Sequence, residues 1–163
     1  MGVTPEEFRA CMGLRVSGVA VVTARAGDEV RGMTVSDFTS VSLDPPLLLV
    51  SADRDSKTLE TITRSGGFAL SILASDQEDL SNRFASSKWE GRRFEGLACE
   101  EALSGAPLLP GAHAHIDCRL EAQHEAGDHV LCVGGVEMMR VHEVEPLAYY
   151  SGGYRTLAPL NED

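Results

Sequence analysis

A mainly antiparallel β-barrel with a few peripheral helices is the fold class this sequence predicts, on three observations. Six or more short β-branched or alternating runs are separated by regular turns. Helical patterns are too few to follow nearly every strand, as a doubly wound sheet requires. The G-x-G-x-x-G turn of the usual dinucleotide fold does not occur.

Taken in order, Thr4-Pro5-Glu6-Glu7 forms a capping box with proline in the first helical position. Phe8, Cys11, Met12 and Arg15 continue at helical spacing, and Gly18 is the expected stop. Val19 to Ala24 predicts a strand buried on both faces, turning at Gly27-Asp28 into a second strand near Val30. Leu47 to Ala52 reads as another buried strand. A helix from Ser56 to about Ser65 follows, stopped by Gly66-Gly67, and then a strand from Phe68 to Leu73.

Ser75-Asp76-Gln77-Glu78 predicts a second capping box, opening a helix whose inner face carries Leu80 and Phe84. Ala85 to Gly111 is rich in Gly, Pro, Ser and charge and reads as a long surface loop, with a short strand at Leu97 to Glu101. From His113 to His124, Ala114, Ile116, Cys118, Leu120 and Ala122 alternate with polar residues, which predicts a half-exposed strand. Its partner runs from His129 to about Val141 beyond the Ala126-Gly127-Asp128 turn, and Tyr149 to Arg155 forms either a clamp or a packed terminus.

The 163 residues suit one domain spanning the chain, and 43% apolar with 24% charged residues is ordinary for a soluble globular protein. A net charge of −11 argues against nucleic acid or an anionic membrane surface as partner. No apolar run is long enough to span a bilayer as a helix. The four cysteines, Cys11, Cys99, Cys118 and Cys132, form no C-x-x-C pair. Together with the lack of a signal-peptide pattern, this gives a cytoplasmic location and reduced thiols as the expectation.

The chemistry concentrates between Gly32 and Thr58. Ser56-Lys57-Thr58 lies at a helix start, where unpaired amides and a partial positive charge favour a phosphate and Lys57 adds a full charge. The same residues also satisfy a plain Ser56 cap with a solvated lysine. Thr34, Ser36, Ser40 and Ser42, with Phe38 among them, would line one face of an uninterrupted strand and offer hydroxyls to a polar heteroaromatic ring, or simply face water. Asp37 would then fall on the apolar side with Met33, Val35 and Val41, so it needs a bulge or a partner. His129, at a hairpin mouth, can donate to a substrate amide, move a proton near neutral pH, or be structural. His113 and His115 share a face, but no third ligand pattern supports a metal.

In one order, G-M-T-V-S-D-F-T-S-V-S-L-D-P-P, D-R-D-S-K-T, S-G-x-F-A-L-S-I-L, G-D-H and G-x-Y-R follow along the chain. These motifs resemble those of the flavin reductase-like family, the short-chain NAD(P)H:flavin oxidoreductases of two-component flavin monooxygenases, from roughly Phe8 to Leu157. The resemblance implies a split β-barrel, a homodimer with flavin near its interface, and hydride transfer from NADH or NADPH to FMN or FAD for a partner monooxygenase.

By position, it places Met33, Thr34, Val35, Ser36, Ser51 and Ala52 beside the isoalloxazine and Ser56, Lys57 and Thr58 on the phosphate. Arg83 and Phe84 would reach the phosphate or ribityl side. His129, Tyr154 and Arg155 would face the nicotinamide, with His129 positioning it or stabilising reduced-flavin charge. Asp37 stands where members commonly have a second serine, and Ser51 where many have cysteine. The alternatives are a non-catalytic flavin- or haem-binding protein of the same barrel, or a self-sufficient flavoprotein acting directly on an organic substrate.

Overall fold

Thr4 opens the first helix as the sequence predicts: its hydroxyl accepts from the Glu7 amide and the Glu7 carboxylate accepts from the Thr4 amide. The computed structural model describes residues 2–159. This helix, α1 (Pro5–Met12), ends at Gly13, not at Gly18. The Gly13 amide turns back to the Arg9 carbonyl, while Gly18 is extended in β1 (Ser17–Gly18), opposite Ala148.

β2 (Ala20–Ala26) and β3 (Glu29–Val35) form the predicted hairpin about Gly27, whose positive φ of 63° suits a residue without a Cβ. β2 is buried on both faces, as its unbroken apolar run implies. Ala20, Val22 and Ala24 join one core cluster, and Val19 beside the strand and Val21 within it join another. β4 (Phe38–Leu43) turns through Asp44-Pro45 into β5 (Pro46–Asp53). α2 (Lys57–Ser65) lays Leu59 and Ile62 on the first cluster and stops at Gly66, φ 72°. β6 (Gly67–Ile72) returns to the sheet centre beside β2.

α3 (Glu78–Ala85) buries Phe84 in the second cluster with Leu80 against it, but its expected capping box does not form. Gln77 occupies the cap instead, its side chain accepting from the Ala74 amide and donating to the Pro110 carbonyl. The stretch read as a surface loop is partly core. β7 (Glu100–Glu101) pairs with β8 (Pro107–Leu108), and Ala102, Ala106, Leu108 and Leu109 are buried. The strand expected at Leu97 to Glu101 shrinks to its last two residues.

β9 (Ala114–Ala126) and β10 (His129–Val141) make the long predicted hairpin. Here the alternation misleads, because β9 lies between β6 and β10 and its first half is covered on both faces. His115 and Asp117 are buried, Asp117 accepting from the amide and hydroxyl of Ser104. β11 (Ala148–Tyr150) and β12 (Gly153–Arg155) form a tail hairpin that pairs with β1.

All the pairings are antiparallel, and the main sheet runs β3-β2-β6-β9-β10-β5-β4. It does not close into a barrel: β3 and β4 are its two edges. The predicted continuous strand breaks at Ser36-Asp37. The Asp37 carbonyl accepts from the Ser51 amide, and the chain then leaves β3 at one edge to rejoin the sheet as β4 at the other. No described helix is long and apolar enough to cross a membrane.

Candidate active site

The break at Ser36-Asp37 brings two segments together, the end of β3 with its exit and the end of β5 with the start of α2. They border two cavities. The larger, about 700 Å³, is walled by α1 on one side and by Ser36, Asp37, Ser51, His129 and Leu131 on the other. The second, about 480 Å³, lies between Met33 and Thr34, the Ser56-Lys57-Thr58 turn, and Phe84 with Arg93.

At the second cavity, Ser56 is indeed the cap of α2, its hydroxyl accepting from the Leu59 amide at 3.1 Å. The amides of Lys57 and Thr58 precede any intrahelical acceptor, so this turn presents donors and the positive end of the helix dipole. The Lys57 ammonium forms no ion pair among the described residues. Arg93 donates to the Gly32 and Ser86 carbonyls and pairs with Glu90, yet its Nε is buried without a hydrogen-bond partner. An orphaned guanidinium N–H, a lysine and a helix start suit a phosphate monoester, against which Asp53 and Asp55 at the same cavity place negative charge.

At the larger cavity, His129 Nδ1 lies 2.8 Å from Asp128 Oδ1, and this contact holds the Asp128 carboxyl below its ordinary range. With Nδ1–H donating to Asp128, Nε2 is an acceptor in the neutral ring and a donor in the cation. Leu131 adds an apolar wall, while Ser36 and Ser51 supply hydroxyls. Asp37 lies in the connection itself, exposed, with Oδ1 2.5 Å from Arg15 Nη2. The strand break and Arg15 are the interruption and the partner that its sequence position called for.

The remaining predicted site residues divide. Val35 and Ala52 are buried in the core, and Phe38 packs half-buried against the same cluster. Arg83 lines neither cavity. It donates to the Arg92 and Glu95 carbonyls and lies over the Trp89 ring. The Tyr154 hydroxyl donates toward Ser81 and Asn82 of α3, and its ring meets edge-on that of Tyr149, a residue of the larger cavity. Arg155 is exposed and donates to the Tyr154 carbonyl. Arg9, Arg15 and Arg93 were not anticipated at either cavity. Only Arg15 had a signal in the sequence, the need of Asp37 for a partner.

Among the described residues, no group of three or more His, Cys, Asp or Glu is placed to hold a metal. The thiols of Cys118 and Cys132 are buried and their pKa values are raised by burial, that of Cys118 to about 12, so neither is a ready nucleophile.

The chain matches the family described as "Flavin reductase like domain" over residues 12–158. An NADH-dependent flavin reductase of a Rhodococcus species is 44% identical over 164 residues, spanning 99% of this chain and 91% of that protein. The reductase component of 4-hydroxyphenylacetate 3-monooxygenase from Thermus thermophilus is 40% identical over 153 residues, 93% of this chain and 96% of that protein. Among solved structures, the NADH:FAD oxidoreductase SgcE6 of Streptomyces globisporus, in complex with NAD and FAD fragments, superposes with a TM-score of 0.89 at 35% identity, covering 98% of each chain. The two cavities and the motifs around them therefore stand in a chain that belongs to the flavin reductase-like domain family.

Proposed function

We propose that this protein is an NADH-dependent flavin reductase that supplies reduced FMN or FAD to a partner monooxygenase. The observation that carries the reading is the pair of cavities sharing the Met33 to Asp37 and Ser51 to Thr58 segments. One has the donors for a phosphate and the other has room and polar groups for stacked rings. The printed names of the relatives support NADH as reductant and a monooxygenase as the recipient. We further propose one domain spanning the chain, a split barrel in which the open sheet is the larger part, and a homodimer.

A flavin held here would supply the hydride acceptor for the reduced nicotinamide. The chain's own part is positional. Lys57, Ser56, Thr58 and Arg93 hold the phosphate, while Met33, Thr34, Ser36 and Ser51 border the ring. His129, oriented by Asp128, holds the nicotinamide carboxamide or offsets developing negative charge. α1 lines one side of the larger cavity with Phe8, Arg9 and Met12. Arg83, Tyr154 and Arg155 act one layer out, bracing α3, the Arg92–Glu95 turn and the Tyr149 wall.

The experiment is the initial rate of nucleotide oxidation for each pairing of NADH or NADPH with FMN or FAD. NADH oxidation that requires added flavin is the expected result. A protein that ignores every pairing is not a reductase, and one that turns over an organic substrate without added flavin is the self-sufficient kind.

A further inference from the structure

α1 is an oddity of this fold. It is fully formed and capped at both ends, yet none of its residues is buried. Phe8 is 62% exposed and Met12 41% exposed, although both line the larger cavity. A helix that contributes nothing to the core is retained in position by contacts at its end: the Gly13 carbonyl accepts from the Ser151 amide, and Arg15 pairs with Asp37. These contacts hold its inner face toward His129 across the cavity.

That face carries a cation. Arg9 lines the cavity and, unlike Arg15, forms no ion pair among the described residues. The carboxylates that share the cavity are both engaged, Asp37 by Arg15 and Asp128 by His129. In a chain of net charge −11, a dianionic ligand is repelled by the molecule as a whole. A ligand entering this cavity therefore meets one uncompensated guanidinium, flanked by the apolar side chains of Phe8 and Met12, four residues apart on the helix. Guanidinium forks match the paired oxygens of a pyrophosphate, and an exposed phenyl ring offers a face for a planar base.

We propose that α1 is the reductant-binding element of this protein, with Arg9 holding the pyrophosphate of the pyridine dinucleotide and the Arg15–Asp37 pair latching the helix in place. Arg9 is a binding residue and Asp37 a positioning residue, which also gives the aspartate a role distinct from any contact with the flavin. The inference rests on the reductase reading and adds to it the recognition of the dinucleotide's phosphates.

The test compares NADH with 1-benzyl-1,4-dihydronicotinamide, a hydride donor that has no phosphate, using the wild type, Arg9→Ala, Arg9→Gln and Arg9→Lys with saturating flavin. KM for NADH rises about tenfold in Arg9→Ala and Arg9→Gln and less in Arg9→Lys. The loss is confined to the phosphate-bearing donor, and flavin affinity stays within about twofold of wild type. Added salt raises the wild-type KM for NADH and leaves that of Arg9→Ala nearly flat. A KM for NADH unchanged in both neutral variants overturns the inference, as does an equal loss with the two donors. A wild type that oxidises neither donor overturns the reductase reading, and the inference with it.

Discussion

Arg15 and Asp37, 22 positions apart, meet at 2.5 Å outside the sheet, joining the segment after α1 to the exit from β3. Their side chains are 44% and 63% exposed, so the pair adds at most about 1 kcal/mol to global stability. Its consequence is local. Asp37→Asn or Arg15→Gln leaves the melting temperature nearly unchanged but speeds amide hydrogen exchange across Pro5–Met12, with KM for NADH rising and KM for flavin held. Unchanged exchange in α1 would show that the pair is not a latch.

Lys57→Ala weakens flavin binding by about 1–3 kcal/mol, read by titration of flavin fluorescence, whereas Lys57→Arg retains much of the affinity. Ser56→Ala removes the cap that accepts from the Leu59 amide, so it lowers folding stability by about 1 kcal/mol even without flavin. If Lys57→Ala binds flavin as wild type does, Lys57 is a solvated lysine beside an ordinary cap.

Two neighbouring glycines respond oppositely to alanine. A Cβ at Gly134 would lie 2.6 Å from the Phe68 ring and 2.7 Å from the Cys118 Cβ, both buried, and overpacking there costs about 1–3 kcal/mol. At Gly135 the Cβ meets only the Glu121 side chain, which is exposed and paired with Arg119, so its flexible end can shift aside. Denaturant unfolding distinguishes them: Gly134→Ala loses stability and Gly135→Ala stays close to wild type.

Burial lowers the His115 pKa, with the neighbouring His142 and Arg140 acting in the same direction, while the Leu109 carbonyl and Glu100 oppose them. In the folded state His115 therefore stays neutral at a pH where the unfolded chain already binds the proton. Its penalty is absent above the ordinary histidine value and grows as pH falls from that value toward the depressed one. Wild-type stability drops across this window, and His115→Gln, which keeps a donor for the Leu109 carbonyl, shows a smaller drop between the same two pH values.

Much of this was legible in the chain. The capping box at Thr4, the β-branched run of β2, the Ser56 cap and the β9–β10 hairpin follow from local rules, and local rules were enough. Failures occurred where neighbours decide. His115 and Asp117 look like an outer face until the Ser104–Leu109 segment lies on them, and that Gly-rich stretch before Gly111 is polar in composition yet packs Ala106 and Leu109 into the interior. The uninterrupted strand through Ser36 failed for a similar reason. The Asp37 carbonyl already accepts from the Ser51 amide of β5, so the chain passes from β3 to pair with β5 within two residues, and Ser36 and Asp37 of this link line the larger cavity. Of the site, the phosphate turn was readable because helix starts carry their chemistry locally. The role of α1 was not, because its one cation, Arg9, lines a cavity made with distant segments.

The central claim is hydride transfer from NADH to flavin on this protein, and the direct test is anaerobic. NADH is mixed with oxidised FMN or FAD and a catalytic amount of protein while the visible flavin absorbance is followed. The account predicts rapid bleaching that consumes NADH and flavin in equal amounts, slowed in His129→Ala, and return of the colour when air is admitted. Absorbance that decays no faster than in a protein-free control, with either flavin, would contradict it.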